Sequence, residues 1–152
     1  MYAVGAALVD TEVSVSDDFL QSQSIDKGVM TLVDQSRQAE LIKVLNNSSA
    51  EIQRQSGGSA CNTVVAASYF GVTACFGGKV ANDEDGVLFA NDLARAGVNF
   101  FSTKADAGVT GKCLVMVTDD AERTMNTYLG VSDAFSGSEI DHNALINSEW
   151  FY

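Results

Sequence analysis

Ser56–Gly86, SGGSACNTVVAASYFGVTACFGGKVANDEDG, decides how the rest of the chain is read. Gly57 and Gly58 lack a Cβ, so the backbone there can take positive φ and let a ligand come close to its N–H groups. The run from about Ala60 to Phe70 is almost wholly apolar, as a helix packed on a sheet requires, and Gly71 is placed to end it. Asn62 is the polar exception near the helix start, where its amide can both donate to and accept from a hydroxyl-rich ligand. Gly57, Gly58 and Asn62 are therefore candidate ligand contacts, although the same residues fit an ordinary helix N-terminus with a turn before it equally well. Val72 to Val80 reads as a buried strand, and Asn82-Asp83-Glu84-Asp85-Gly86 as an acidic turn beyond it. The order is strand, helix, strand.

Upstream, Tyr2 to Val9 is a short apolar run ending in Asp10, the pattern of a buried parallel strand that delivers a carboxylate at its C-terminal end. Open α/β sheets place their ligands there, so Asp10 is a candidate contact; a helix cap or solvated turn is the competing reading. Thr11 to Val15 alternates strictly and predicts a strand with one wet face, and Gly28 to Val33 repeats that character. Asp34 to Leu45 carries apolar residues at helical spacing behind Asp34 as N-cap, and Ala50 to Gln55 is a weak strand leading into the glycine turn.

Downstream, Val87, Leu88, Ala90, Leu93 and Ala94 give a further helix its apolar face before Gly97 stops it, and Val98 to Phe101 predicts the next strand. Cys113 to Thr118 and Arg123 to Tyr128, linked through Asp119-Asp120, read as a hairpin. The chain thus mixes βα units with half-exposed strands, which implies an α/β core sheet carrying a small β-sheet lid. Glu149 to Tyr152 reads as the start of another buried strand, leaving an unprotected sheet edge.

With 152 residues, 46% of them hydrophobic, the chain has enough apolar content for one soluble domain. Its formal charge of −11, with only nine scattered Lys and Arg, argues against nucleic acid, whose phosphates need clustered cations. No apolar run approaches a membrane span and MYAVGAALVD lacks the basic start of a signal peptide, so the cytoplasm is the expected location. Cys61, Cys75 and Cys113 read as buried thiols and no metal site is expected. His142, the only histidine, sits beside Asp141 and Asn143, where a capping region is favoured over a Ser/His/Asp triad. Asn46-Asn47-Ser48-Ser49 matches glycosylation acceptors but reads as a loop.

Asp10, the GGSACN turn and helix, KVANDEDG, and TGKCLVMV with ERTMN together resemble the ribokinase/PfkB carbohydrate kinase family, closest to its adenosine-kinase-like bacterial members. The resemblance implies a ribokinase-like α/β sandwich core, with lid strands at roughly 11–33 and 110–128 inserted into it. It also implies ATP-dependent transfer of a phosphoryl group to a primary hydroxyl of a nucleoside, adenosine-like in preference, or of a sugar. By the same resemblance Asp10, Gly57, Gly58 and Asn62 would bind substrate, and Arg123 would stand in the lid near the transferred phosphoryl group. A surface Arg on a hairpin is the other reading of Arg123. ATP and Mg²⁺ are expected of the intact protein. The family's catalytic base and nucleotide-binding region are not found in these residues, so residues 1–152 are expected to be the N-terminal, acceptor-binding part, inactive alone.

Three positions depart from the family pattern: Gly5-Ala6 where nucleoside-type members have Gly-Asn, Val64 where a small residue is usual, and Ala81 where glycine is usual. The first departure removes an expected polar contact with substrate. The alternative function is a non-catalytic binding module, with the lid strands and open sheet edge forming a homodimer.

Overall fold

The computed structural model describes residues 1–46 and 52–152. Their elements, in chain order, are β1 (Tyr2–Val4), β2 (Leu8–Ser14), α1 (Asp17–Ser22), β3 (Met30–Leu32), α2 (Gln35–Asn46), β4 (Ile52–Gly57), α3 (Ser59–Tyr69), β5 (Cys75–Ala81), α4 (Glu84–Arg95), β6 (Asn99–Ala105), β7 (Gly111–Val117), β8 (Arg123–Tyr128) and α5 (His142–Ile146). Short 3₁₀ turns at Gly130–Ala134 and Gly137–Glu139 precede α5. The chain divides into two units: Met1–Val9, Gln55–Gly111 and Leu129–Tyr152 form the first, Asp10–Arg54 and Lys112–Tyr128 the second.

The first unit is built on a parallel sheet of order β1-β5-β6. Parallel strands buried by helices read as continuous apolar runs, and α3 and α4 supply that cover. Phe76 of β5, Phe89 of α4 and Phe100 of β6 form a ring cluster with centroids 5.2 to 5.9 Å apart, packed with Cys61, Val64 and Leu93. Burial of each such ring contributes about 2–3 kcal/mol. Gly71 ends α3 at φ 86° and Gly97 follows α4 at φ 73°, both as read from the sequence. The strand expected over Val98–Phe101 extends to Ala105, because β5 offers it a parallel partner along its whole length.

Two readings in this unit are corrected. The apolar run Tyr2–Val9 is not one strand: it breaks at Gly5–Ala7, where the Gly5 amide turns to the Gly77 carbonyl. The terminal run is not buried. Trp150–Tyr152 lies alongside β1 through Tyr2 N–H to the Trp150 carbonyl and Tyr152 N–H to the Tyr2 carbonyl, yet Trp150, Phe151 and Tyr152 are exposed.

In the second unit the sheet order is β3-β8-β7-β2-β4, with β7 and β8 antiparallel as the predicted hairpin. Alternation sets its two faces. Leu114 and Met116 of β7 and Val13 of β2 pack with Leu41 and Leu45 of α2 and Leu20 of α1. The partners Cys113 and Thr127, and Val117 and Arg123, therefore lie on the opposite face, together with Asp10 and Glu12 of β2. Asp34 caps α2, accepting from the Arg37 amide at 2.7 Å. Helix α1 was not anticipated; Ser16 caps it, and Asp17 and Asp18 suit its first turn. Most of the Asn46–Ser49 acceptor pattern, and the start of the strand expected at Ala50, lie outside the described residues.

Candidate functional site

In the first unit the glycine turn is fixed by close packing. Gly58 has φ 97°, and a Cβ there would stand 2.6 Å from the Ala6 carbonyl oxygen, so both the conformation and the space demand glycine. Gly58 is the N-cap of α3 without a side-chain cap bond, and its carbonyl accepts from the Asn62 amide at 2.9 Å. The Asn62 side chain is exposed on the first turn of α3, while Gly57 is buried at the end of β4. The Gly5-Ala6 departure thus lies against the glycine turn, its backbone filling the place beside Gly58. Asn62 and the first amides of α3 form a polar edge able to hold hydroxyls or an anion.

The acidic turn in the same unit is a clasp. Asp83 caps α4 by accepting from the Gly86 amide at 2.8 Å, and it also accepts from the Thr110 amide at 2.8 Å and the Thr110 hydroxyl at 2.6 Å. The Thr110 hydroxyl in turn accepts from the Ala81 amide at 3.0 Å. Gly86 must be glycine here, since a Cβ would meet the Ala81 carbonyl oxygen at 2.3 Å. These bonds join the end of β5, the start of α4 and the approach to β7. A second clasp joins Lys79 of β5 to Glu139 at 2.8 Å, and Glu139 also accepts from the Ser136 amide.

In the second unit Asp10 is the third residue of β2, inside the strand and not at the end of the first one. Burial pushes its carboxyl up to about 6; Arg123 opposes that shift and Glu12 adds to it. Arg123 is exposed and pairs with Glu12 at 3.1 Å. On the same face the Thr127 hydroxyl donates to the Cys113 sulfur at 3.2 Å, and burial holds that thiol up at about 11, as a structural thiol and not a nucleophile. Cys61 is also buried and forms no disulfide, and Cys75 is half-buried. His142 is exposed at the start of α5, which Asp141 caps through the Ala144 amide.

Among the described residues no three His, Cys, Asp or Glu side chains converge to hold a metal ion. Likewise none of the described helices is long and apolar enough to cross a membrane.

Residues 24–150 match the model of the pfkB family carbohydrate kinases. The chain belongs to this family. Among relatives of this pfkB-family chain, the ATP-dependent ribose-1-phosphate kinase of Halopiger xanaduensis is 37% identical over 99 residues, covering 64% of this chain and 33% of that protein. Two solved structures, the adenosine kinase of Sinorhizobium meliloti and a probable sugar kinase of Rhizobium etli CFN 42, each superpose with a TM-score of 0.90 at 33% identity. Each match covers 99% of this chain and 45% of the other. The adenosine kinase of Anopheles gambiae, at 23% identity and a TM-score of 0.86, shares the fold. The chain therefore has the ribokinase-like α/β fold and spans a third of the curated relative and under half of these solved structures.

Sequence reasoning missed Asp92. The Ser56 amide donates to its Oδ2 at 2.7 Å, directly before the glycine turn. An acidic residue on an amphipathic helix, 36 positions away from its partner, gives no periodic signal.

Proposed function

We propose that this pfkB-family chain carries the acceptor-binding part of an ATP-dependent kinase that phosphorylates a primary hydroxyl of a nucleoside or sugar, adenosine-like acceptors preferred. The observation that carries the reading is the glycine turn, where Gly58 at φ 97° opens α3 and leaves Asn62 facing solvent on its first turn. In this reading Asp10, Gly57, Gly58 and Asn62 contact the acceptor. An ionised Asp10 accepts from ligand hydroxyls, and Asn62 both donates and accepts. Arg123 stands on the phosphoryl side. Its exposed pair with Glu12 is worth only about 0–1 kcal/mol, so the guanidinium can exchange that carboxylate for a phosphoryl oxygen at little cost. The family's ATP supplies the phosphoryl group, the Mg²⁺ expected with it finds no ligand cluster among the described residues, and the residues named here bind and orient the acceptor.

A second reading, a homodimer through the lid strands, has its own support. β3 is the outermost strand of its sheet, and Val29, Met30 and Leu32 are exposed along it. Light scattering across concentration tests it, a monomer at every concentration being the refuting result.

Calorimetric titration of the chain with adenosine, inosine, ribose and fructose, with ATP as control, tests the first reading. Selective binding of adenosine is expected. Silence across the panel would refute an acceptor site carried by these residues alone.

A further inference from the structure

The glycine turn is held from behind by one helix. Asp92, in the last turn of α4, accepts the Ser56 amide through Oδ2 at 2.7 Å, while its Oδ1 is ion-paired to Arg95. The Asp92 side chain is 13% exposed, so water competes poorly for that bond. The residue after Ser56 is Gly57, and Gly58 then takes φ 97°. The far end of α3 is anchored to the same place, because the Ser68 hydroxyl donates to the Ala96 carbonyl at 2.7 Å. The segment Asp92–Ala96 therefore grips the strand before the turn and the helix after it. Ordinary packing of α4 on the sheet requires neither bond; Phe89 and Leu93 already supply that.

We propose that Asp92 is a positioning residue for the ligand-binding turn: by fixing the Ser56 amide it sets the direction in which Gly57, Gly58 and the Asn62 side chain face an acceptor. This rests on the acceptor-binding reading, and it adds a residue that would touch no ligand. A short bond from the Ser56 amide to a largely buried side-chain oxygen suits a turn whose two glycines carry no side chain to hold it.

The test compares Asp92→Ala and Asp92→Asn with the unaltered chain. Asparagine keeps an oxygen for the Ser56 amide. Adenosine affinity by calorimetry should fall about tenfold in Asp92→Ala and return most of the way in Asp92→Asn. The Gly57, Gly58 and Asn62 amide resonances should shift, and Ser56 amide exchange should quicken, in the alanine variant alone. Equal loss in both variants, or a lowered melting temperature with affinity and those resonances unchanged, would overturn the proposal. Should the unaltered chain not bind adenosine, the acceptor-binding reading fails, and the resonances then decide the positioning role alone: unmoved signals for Gly57, Gly58 and Asn62 would overturn it too.

Discussion

Thr110→Val, Asp83→Ala and their combination form a double-mutant cycle that reads the clasp at the acidic turn. Valine keeps the volume of threonine but removes the hydroxyl, which donates to Asp83 at 2.6 Å and accepts the Ala81 amide at 3.0 Å. Thr110 is fully buried, so the Ala81 amide would be left without a partner. One charge-assisted bond lost and one buried donor stranded cost about 3 kcal/mol together. Asp83→Ala removes the α4 cap, worth about 1 kcal/mol, and both bonds from Thr110, for a total of about 3–4 kcal/mol. The two substitutions share the hydroxyl–carboxylate bond, so the double variant should be less destabilised than the sum by about 1–2 kcal/mol. Urea unfolding followed by circular dichroism measures all four species, and each single variant should also melt about 6–12 °C lower. Single effects under about 1 kcal/mol, or additivity within about 0.3 kcal/mol, would refute the claim that this network joins β5, α4 and the approach to β7.

Further outcomes follow from the same geometry. Because the Asp10 carboxyl is raised from 3.8 to about 6, the folded state holds its proton longer, so its contribution to stability is present below 3.8 and is lost as pH rises through 6. The chain minus Asp10→Asn difference in unfolding free energy should therefore decline by about 3 kcal/mol across that window; a flat difference would contradict the burial argument. A carboxylate accepts hydroxyl hydrogen bonds more strongly than the neutral acid, so adenosine affinity should weaken as pH is lowered through 6, a trend absent in Asp10→Asn. Gly77→Ala would drive a Cβ to 2.3 Å from the Tyr2 hydroxyl, whose ring is fully buried, and should cost about 1–3 kcal/mol in urea unfolding; an unchanged midpoint would show that Tyr2 can move. Asn62→Ala, on an exposed position, should leave the melting temperature within about 1–2 °C while weakening adenosine binding by about 1–3 kcal/mol; loss of fold without specific loss of binding would make Asn62 structural.

Local chemistry made the α3 segment and the hairpin readable. Gly58 and Gly71 bracket an apolar run, and both take positive φ in the structure. Two short runs joined by the acidic link Asp119-Asp120 likewise marked β7 and β8. The break at Gly5–Ala7 was hidden because residues on both sides are apolar, so only the glycine signalled it. Helix α1 was short enough for its cap, Ser16 before Asp17-Asp18, to be its one mark. The terminal aromatics looked buried because apolar sequence does not distinguish a covered strand from an exposed edge. At the site, Asp10 and Asn62 stood out as polar residues in apolar surroundings. The hydrogen bonds that shape their elements did not, since Asp83 with Thr110 and Asp92 with Ser56 are separated by 27 and 36 residues. Such pairs are set by tertiary packing, which leaves no trace in local periodicity.

The parallel pairing of β1 sets the order in which this chain can fold on the ribosome. Tyr2 pairs with Cys75, and the outer neighbour of β1 is Phe151, so the first strand emerges long before either flank exists. At roughly 5–20 residues per second, β1 waits on the order of 4–15 s for β5. For most of that interval its apolar side chains have no native surface to cover them, which makes the nascent β1 segment a natural client for a holding chaperone.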